Sequence, residues 1–552
     1  MKKIVLTILA TAITAGVASV DAYSQAAFDA VQMGQNDLRG TARYMSMAGA
    51  YGALGGDLSS IAHNPAGIGV YRYSDVGLTL GLNLQSSKSG NSNSVNNTVL
   101  NCNNAAYVGV FNFNSETLQN FNWGFSYNRA LSFNRRTAGR FNNLKTSLSN
   151  FIAGQTNQFG YYYYFPDNIE QDNNWSPAPD NLASGYNGTA PWLSTLAFYS
   201  FAISPNDNGE DFQGLYGDGT SGYGSFETVE SGGVDEYNIT FGGNLYNTVY
   251  WGFGIGITDI NHTTSTYYSE NLEGAYLDNG NGVTRGTAYW DLQNYLRTTG
   301  SGWNFKMGFI VVPTQALRLG FSFETPTYYQ LTDQYYADCQ FDYSNGMVYN
   351  PNDDVNCMTP DGEVYYQMTT PWKFQASAAT IIASRATLSF EYQYTGYQTM
   401  SIRDNAGRND FEMTNTIRNY LRATNTFKLG AELRVTPKLS VRAGYSYESS
   451  PVKEDIIDNQ YVLNTGGSLI TAGTMPAYNI VRNTQYYTAG IGYKFKNLYA
   501  DLAFVHKSRT NDYHAFSAAY YQLDGKPMIE ESPTAVVKDN NNQIVLSVGI
   551  RF

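Results

Sequence analysis

Chemistry in a chain of this kind would fall to its histidines, cysteines and clustered carboxylates, and their spacing is unpromising for catalysis. The four histidines, His63, His262, His506 and His514, stand far apart. None forms an HExxH pair, which would set two imidazoles on one helix face for zinc. No glycine-rich phosphate loop and no Ser/His/Asp set is legible. His63 has the one alternative use that a lone histidine can offer, an axial nitrogen for haem, although completing local hydrogen bonds is its commoner fate. Cys339 and Cys357 share one polar segment, which suits a disulfide in an oxidising compartment, and Cys102 is left over. None of the three has metal-ligand spacing. The expectation is a protein that is not an enzyme and carries no cofactor and no metal.

Binding chemistry is better represented. Phe141, Leu144, Leu148, Phe151 and Ile152 recur at helical spacing, and a second apolar run from Pro191 carries Trp192, Leu193 and Leu196. Pro191 suits the first turn of a helix. Between the two runs lies the aromatic string Gly160-Tyr-Tyr-Tyr-Tyr-Phe165. Apolar helices inside a polar loop need burial, either against each other or against an apolar ligand. These eight residues are therefore the candidate ligand groove.

The elements that must hold such a groove follow from composition and period. The 552 residues are 42% hydrophobic and 15% aromatic but only 14% charged, with Tyr 46, Phe 29, Trp 7 and Gly 53. Mean hydropathy is -0.35, and beyond residue 22 no apolar run is long enough to cross a bilayer as a helix, which excludes a helix bundle. The net charge of -12 leaves no basic footprint for nucleic acid. At the start, Lys2 and Lys3 precede an apolar stretch from Ile4 to about Val17 and small residues up to Ala22. This predicts a signal peptide over 1–22 and export past the inner membrane.

From about residue 74 the chain repeats one unit of an alternating segment, a very short turn, a second alternating segment and a long polar loop. In Phe121-Asn-Trp-Gly-Phe-Ser-Tyr-Asn-Arg-Ala-Leu-Ser-Phe133 the odd positions are bulky and apolar, with only Arg129 breaking the series. The even positions are small or polar, as expected if one face meets lipid and the other a lumen. Some fourteen such strands can be read, near 74–87, 103–114, 121–134, 235–246, 250–261, 289–312 and 316–330. The others fall near 365–383, 386–400, 423–436, 439–450, 484–496, 498–508 and 542–552. Short turns alternate with long loops, of which 135–234 is the largest. The predicted fold is all-β, a transmembrane barrel of about fourteen antiparallel strands over 74–552, with its short turns in the periplasm. No proline marks a kink in the third strand. The last strand places Ile544, Leu546, Val548, Ile550 and Phe552 on one face, with Val545 the apolar exception on the other.

The stretch from Leu38 to Ile68, LRGTARYMSMAGAYGALGGDLSSIAHNPAGI, resembles the hatch of the FadL/TodX family of outer-membrane transporters. Its most specific piece is Asn64-Pro65-Ala66-Gly67, set just before the first strand. Thr370-Pro-Trp-Lys-Phe374, Phe390-Glu-Tyr-Gln-Tyr394 and Leu429-Gly-Ala-Glu-Leu-Arg-Val-Thr-Pro437 resemble the later hairpins of that family. The large 135–234 loop and the Cys339/Cys357 pair depart from it. The resemblance implies a hatch over 23–73 that fills the lumen, shaped by Asn64, Pro65, Ala66 and Gly67. It also implies an apolar ligand caught outside and released laterally once the hatch rearranges.

The expected function is uptake of hydrophobic small molecules, long-chain fatty acids among them, by a monomer in contact with outer-membrane lipid and lipopolysaccharide. A haem receptor or a secretion-associated barrel on the same scaffold is the alternative. The terminal strand also looks like the signal by which barrel assembly machinery recognises its clients. Deleting Phe552 is expected to lower the fraction of chain that migrates as a heat-modifiable folded band from outer membranes. An unchanged fraction would remove Phe552 from that role.

Overall fold

In the computed structural model, residues 27–552 are described apart from 91, 114, 159–181, 189, 206–210, 279–282, 345–356, 459–473, 518, 524, 525 and 531. The expected signal peptide and the aromatic string at 160–165 lie outside the described residues.

Alternation of apolar and polar residues yields fourteen antiparallel staves. They are β1 (Asp75–Ser89), β2 (Val95–Asn112), β3 (Leu118–Ser132, continued by Arg135–Asn142), β4 (Ser221–Leu245), β5 (Val249–Asp278) and β6 (Val283–Thr314). Next come β7 (Leu317–Glu324, continued by Tyr328–Tyr343), β8 (Gly362–Thr369, continued by Lys373–Ile382) and β9 (Ala386–Gly396, continued by Ser401–Asp404). The circuit ends with β10 (Ala423–Arg434), β11 (Leu439–Glu448), β12 (Tyr478–Phe495), β13 (Leu498–His514) and β14 (Thr534–Arg551). β14 returns to β1 in an unbroken register from Asp75↔Arg551 to Ser89↔Val537, so the sheet is closed. The expected count and strand order are borne out.

The molecule is apolar outside and polar inside. Leu78, Leu80, Leu84, Phe125, Ile255, Phe321, Phe390, Leu429, Leu502 and Leu546 are exposed, while Asn83, Asn103, Asn122, Ser126, Asn238 and Thr240 are buried. In water this would waste the hydrophobic effect; in a bilayer it is the stable arrangement.

Stretches expected to be loops are partly strand, 135–234 among them, where Arg135–Asn142 pairs with β4. The polar stretch 262–288, expected to be a loop, continues the β5–β6 hairpin over its described residues. Its Thr- and Ser-rich strands carry no lipid-facing apolar stripe, yet their backbones still pair across the ladder. The third strand also bends without a proline. β3 pairs with β2 only from Asn104↔Asn128 to Asn112↔Asn120. Its register on β4 then slips between Arg129 and Leu131, beside Gly232 at φ 102°. The continuation Arg135–Asn142 stays on β4 but crosses β1 on the inside, where the Arg136 amide donates to Gln85 Oε1 at 3.3 Å. Above Asn104, residues 95–103 of β2 therefore pair with β1 alone among the described residues.

The N-terminal segment occupies the lumen. It comprises α1 (Ala27–Gly34), α2 (Ala42–Ser46) and two 3₁₀ turns, Ser60–Ala62 and Pro65–Val70. The wall carries glycine at several points where this segment lies closest against it. A Cβ on Gly252 would overlap the Pro65 carbonyl, one on Gly308 the Asn64 side chain, and one on Gly320 the Gly52 carbonyl. Gly430 and Gly444 stand in the same relation to Met47.

Candidate functional site

Asn64 is buried and caps the 3₁₀ turn that follows it. Its Oδ1 accepts from the Ala66 amide at 3.1 Å, while Nδ2 donates to the Gly52 carbonyl at 2.6 Å. Pro65 opens the turn, where a missing N–H costs nothing. The Gly67 carbonyl accepts from the Gly56 amide at 3.2 Å. Gly55, at φ 61°, lies so close to Gly67 that neither position has room for a side chain. The four residues thus fold the segment back on itself. A second knot joins Thr41 Oγ1 to Asp57 at 2.8 Å, and the Thr41 amide to Ser59 Oγ at 2.6 Å. Next to β1 the segment is clamped to the wall: Asn122 Nδ2 donates to the carbonyls of Ile68 and Tyr71, and Asn120 Nδ2 to those of Gly69 and Tyr71.

At the parting of β2 and β3 the segment replaces the missing strand neighbour. The Asp37 amide donates to the Ala130 carbonyl at 3.0 Å. The carboxylate of Asp37 pairs with Lys507 at 2.5 Å, with Arg39 nearby at 3.5 Å. Burial alone would raise the Asp37 pKa, but these two cations hold it below the usual carboxylate range. Arg39 reaches Asn103 of β2 at 3.3 Å and Asn83 of β1 at 3.5 Å. Arg129, the residue that breaks the apolar series, pairs with Asp235 at 2.6 Å where the strands separate. That irregularity was the available sequence signal for the parting.

Sequence reasoning missed the ionic lining of the lumen, because single Lys and Glu residues on separate strands show no pattern. Lys306 meets Glu236 at 2.6 Å, Lys373 meets Glu324 at 3.0 Å, and Lys428 meets Glu391 at 2.8 Å. Glu391 also accepts from the Gly52 amide at 2.8 Å, joining the wall to the segment. His63 stacks on Tyr44, with ring centroids 5.0 Å apart and planes 6° from parallel. Burial, with help from Lys428 and Lys306, pushes its pKa down to about 3, so the imidazole is neutral at ordinary pH.

Above the lumen the helix-like runs form α3 (Leu148–Gln158) and α4 (Trp192–Tyr199). Phe141, Leu144, Leu148, Phe151, Ile152, Leu193 and Leu196 are all buried in one apolar core with Phe226, Trp290 and Phe516. Trp192 is only partly buried and packs apart from them, 5.5 Å from Tyr335. Glu270 binds the start of α3, accepting from the Leu148 amide at 2.9 Å and from Trp290 at 3.2 Å. Cys339 and Cys357 come together, amide to carbonyl at 2.9 Å, both buried and not joined in the disulfide that the sequence suggests. Between this cap and the N-terminal segment, a cavity lined by Phe28, Gln32, Glu230, His262 and Tyr478 measures only about 50 Å³.

A closed barrel with an apolar outer surface and an occupied lumen defines a transmembrane β-barrel. Residues 239–468 match the family described as outer membrane protein transport protein (OMPP1/FadL/TodX). In fold, the chain is similar to a Pseudomonas aeruginosa FadL homologue, with TM-score 0.50 and 13% identity, covering 94% of this chain and 100% of that one. The toluene transporter TodX of Pseudomonas putida gives TM-score 0.43 and 11% identity, with 94% and 100% coverage. The Ralstonia pickettii toluene transporter TbuX gives 0.40 and 14%, with 94% and 99% coverage. Among curated proteins no match is found. The resemblance read from the sequence is borne out over residues 239–468, and the fold it implied over most of the chain.

Asn64→Ala orphans the Gly52 carbonyl and the Ala66 amide, a local loss of about 1–3 kcal/mol for a buried unsatisfied group. Hydrogen exchange across 52–68 is expected to quicken while heat-modifiable migration of the barrel stays as in the parent. Gly308→Ala, whose new methyl would strike the Asn64 side chain, is expected to give the same signature. Unchanged exchange in both variants would contradict the tether.

Proposed function

We propose that the chain takes up hydrophobic small molecules across the outer membrane, with the N-terminal segment acting as a hatch and the β2–β3 parting as a lateral exit. The parting is the observation that carries this reading. It opens the wall beside lipid-facing residues such as Leu100, which is 66% exposed, rather than towards water. An apolar solute gains free energy by leaving into the bilayer at about 25 cal/mol per Å² of its surface, whereas a polar solute gains nothing. The small, ion-lined space along the barrel axis favours the same solution, since apolar cargo would have to strip water from charged groups to descend it.

On this reading ligand first meets the apolar cap around α3 and α4, with Phe141, Leu144, Leu148, Phe151, Ile152, Trp192, Leu193 and Leu196 as its groove when the cap opens. Displacement of Asp37 from Ala130 then frees the exit. Long-chain fatty acids and monoaromatic hydrocarbons are the ligand classes to compare. The C-terminal strand would serve assembly, with lipid and lipopolysaccharide around a monomer.

Two measurements check this. Tryptophan quenching of detergent-folded protein is expected to give saturable binding of oleate or toluene, while saturation by haem alone would replace the reading with a haem receptor. Cysteines at Asp37 and Ala130, in a Cys102→Ser background, are expected to cross-link the hatch to β3 and stop uptake until reductant is added. Parent-level uptake by the cross-linked protein would sink lateral release.

A further inference from the structure

A second chamber lies at the opposite end of the molecule, on the side of the short turns. Its volume is about 720 Å³, and the N-terminal segment roofs it with Met47, Tyr51, Leu54 and Val70. Eight of the 34 Lys and Arg residues of a chain with net charge -12 line this one space, against one side-chain carboxylate, Glu432, and the α-carboxylate of Phe552. Glu432 is already committed to Arg43 at 3.2 Å and Arg442 at 2.5 Å. Arg551, a further lining residue, is matched by Asp75 at 2.8 Å.

The remaining six, Arg72, Arg318, Arg385, Arg434, Lys494 and Lys496, form no ion pair among the described residues. Arg318 spends one guanidinium nitrogen on the Leu54 carbonyl at 3.1 Å, while its Nε is buried without an acceptor. Like charges collected in a recess with low-dielectric walls repel one another and focus a positive potential into it. The fold therefore carries a cost that an anion would relieve.

Position decides what kind of anion. The strand neighbours Leu317, Leu433 and Phe495 are exposed on the outer surface, so Arg318, Arg434 and Lys494 face the interior of the mouth. Lipid headgroups gather around the outside of the wall and do not enter it. The cations also come from separate places around the rim: ahead of β1, on β7, in the β8–β9 turn, at the end of β10, and on β12 and its turn. One small anion cannot reach them all, whereas an extended chain with several carboxylates can.

We propose that this mouth is a docking site for an acidic, extended segment of a periplasmic protein. The segment would rest on Leu54 and Val70, so its arrival is felt by the lumen segment whatever compound the barrel carries. This holds independently of the transported ligand and fails separately from it.

The test uses the full chain in nanodiscs of zwitterionic lipid, with fluorescein-labelled hexaglutamate as probe and anisotropy as readout. Saturable binding is expected, weakening as salt shortens the Debye length from about 10 Å at 0.1 M to about 3 Å at 1 M. The triple variant Arg385→Glu, Arg434→Glu, Lys496→Glu should lose about tenfold or more in affinity, as expected for reversed charge complementarity. Its heat-modifiable migration should match the parent, which separates lost docking from lost folding. No binding by the parent, or equal binding by the triple variant, would overturn the proposal. Displacement of the probe by inorganic phosphate at equal concentration would also overturn it, in favour of a small-anion site.

Discussion

A main-chain amide or carbonyl facing lipid without a partner costs several kcal/mol, because the bilayer core holds no water to replace the bond. Closure of β14 on β1 meets this requirement around almost the whole circuit. The exception is the upper half of the β2–β3 seam, and the structure treats it as a debt to be covered locally. β3 turns inward, so that part of its edge leaves the wall. Asn104 donates its side chain to the Tyr127 carbonyl at 3.2 Å, and the Asp37 amide covers Ala130 at 3.0 Å. The N-terminal segment is thus a substitute strand neighbour as well as a filling for the lumen. Its ion pairs to Lys507 and its contacts through Arg39 hold that substitute in place.

Much of the wall was legible in the sequence because lipid and lumen impose opposite demands on successive residues. Phe121, Trp123 and Phe125 against Asn122, Gly124 and Ser126 state both demands in six positions. The hairpin extension at 262–288 was not legible, since a strand projecting beyond the bilayer needs only backbone pairing and no outward apolar stripe. The departures from alternation held more information than they first yielded. Val545, the inward apolar exception on β14, packs in a cluster with Tyr44 and Met45 of the N-terminal segment. Arg129, the outward charged exception on β3, marks where β2 departs. The ionic lining and the cationic mouth were out of reach, because Lys306, Lys373 and Lys428, or Arg318, Arg434 and Lys494, converge only once the barrel has closed.

The two ends of the molecule are held by different forces. The outer cap is an apolar core fixed by burial, with Glu270 tying the start of α3 to the strands beneath. The lumen below is fixed by charge-assisted hydrogen bonds in an enclosed setting, where each pair has few competing water molecules. Apolar burial adapts to a new apolar partner, while a buried ion pair resists separation because the lone charge left behind is costly. On the proposed reading, rearrangement on contact with a hydrophobic compound would therefore begin more easily at the cap than along the barrel axis.

The clamps from Asn120 and Asn122 to the carbonyls of Ile68, Gly69 and Tyr71 have a mechanical consequence. They immobilise the segment where it runs into β1, and the glycine-lined wall grips it through Pro65 and Asn64. Any swing must then pivot near residue 64, with travel growing towards α1 and greatest around Asp37 and beyond. On the proposed reading the segment would swing like a trapdoor hinged at the floor of the barrel, its latch the reach of chain that closes the seam in the wall.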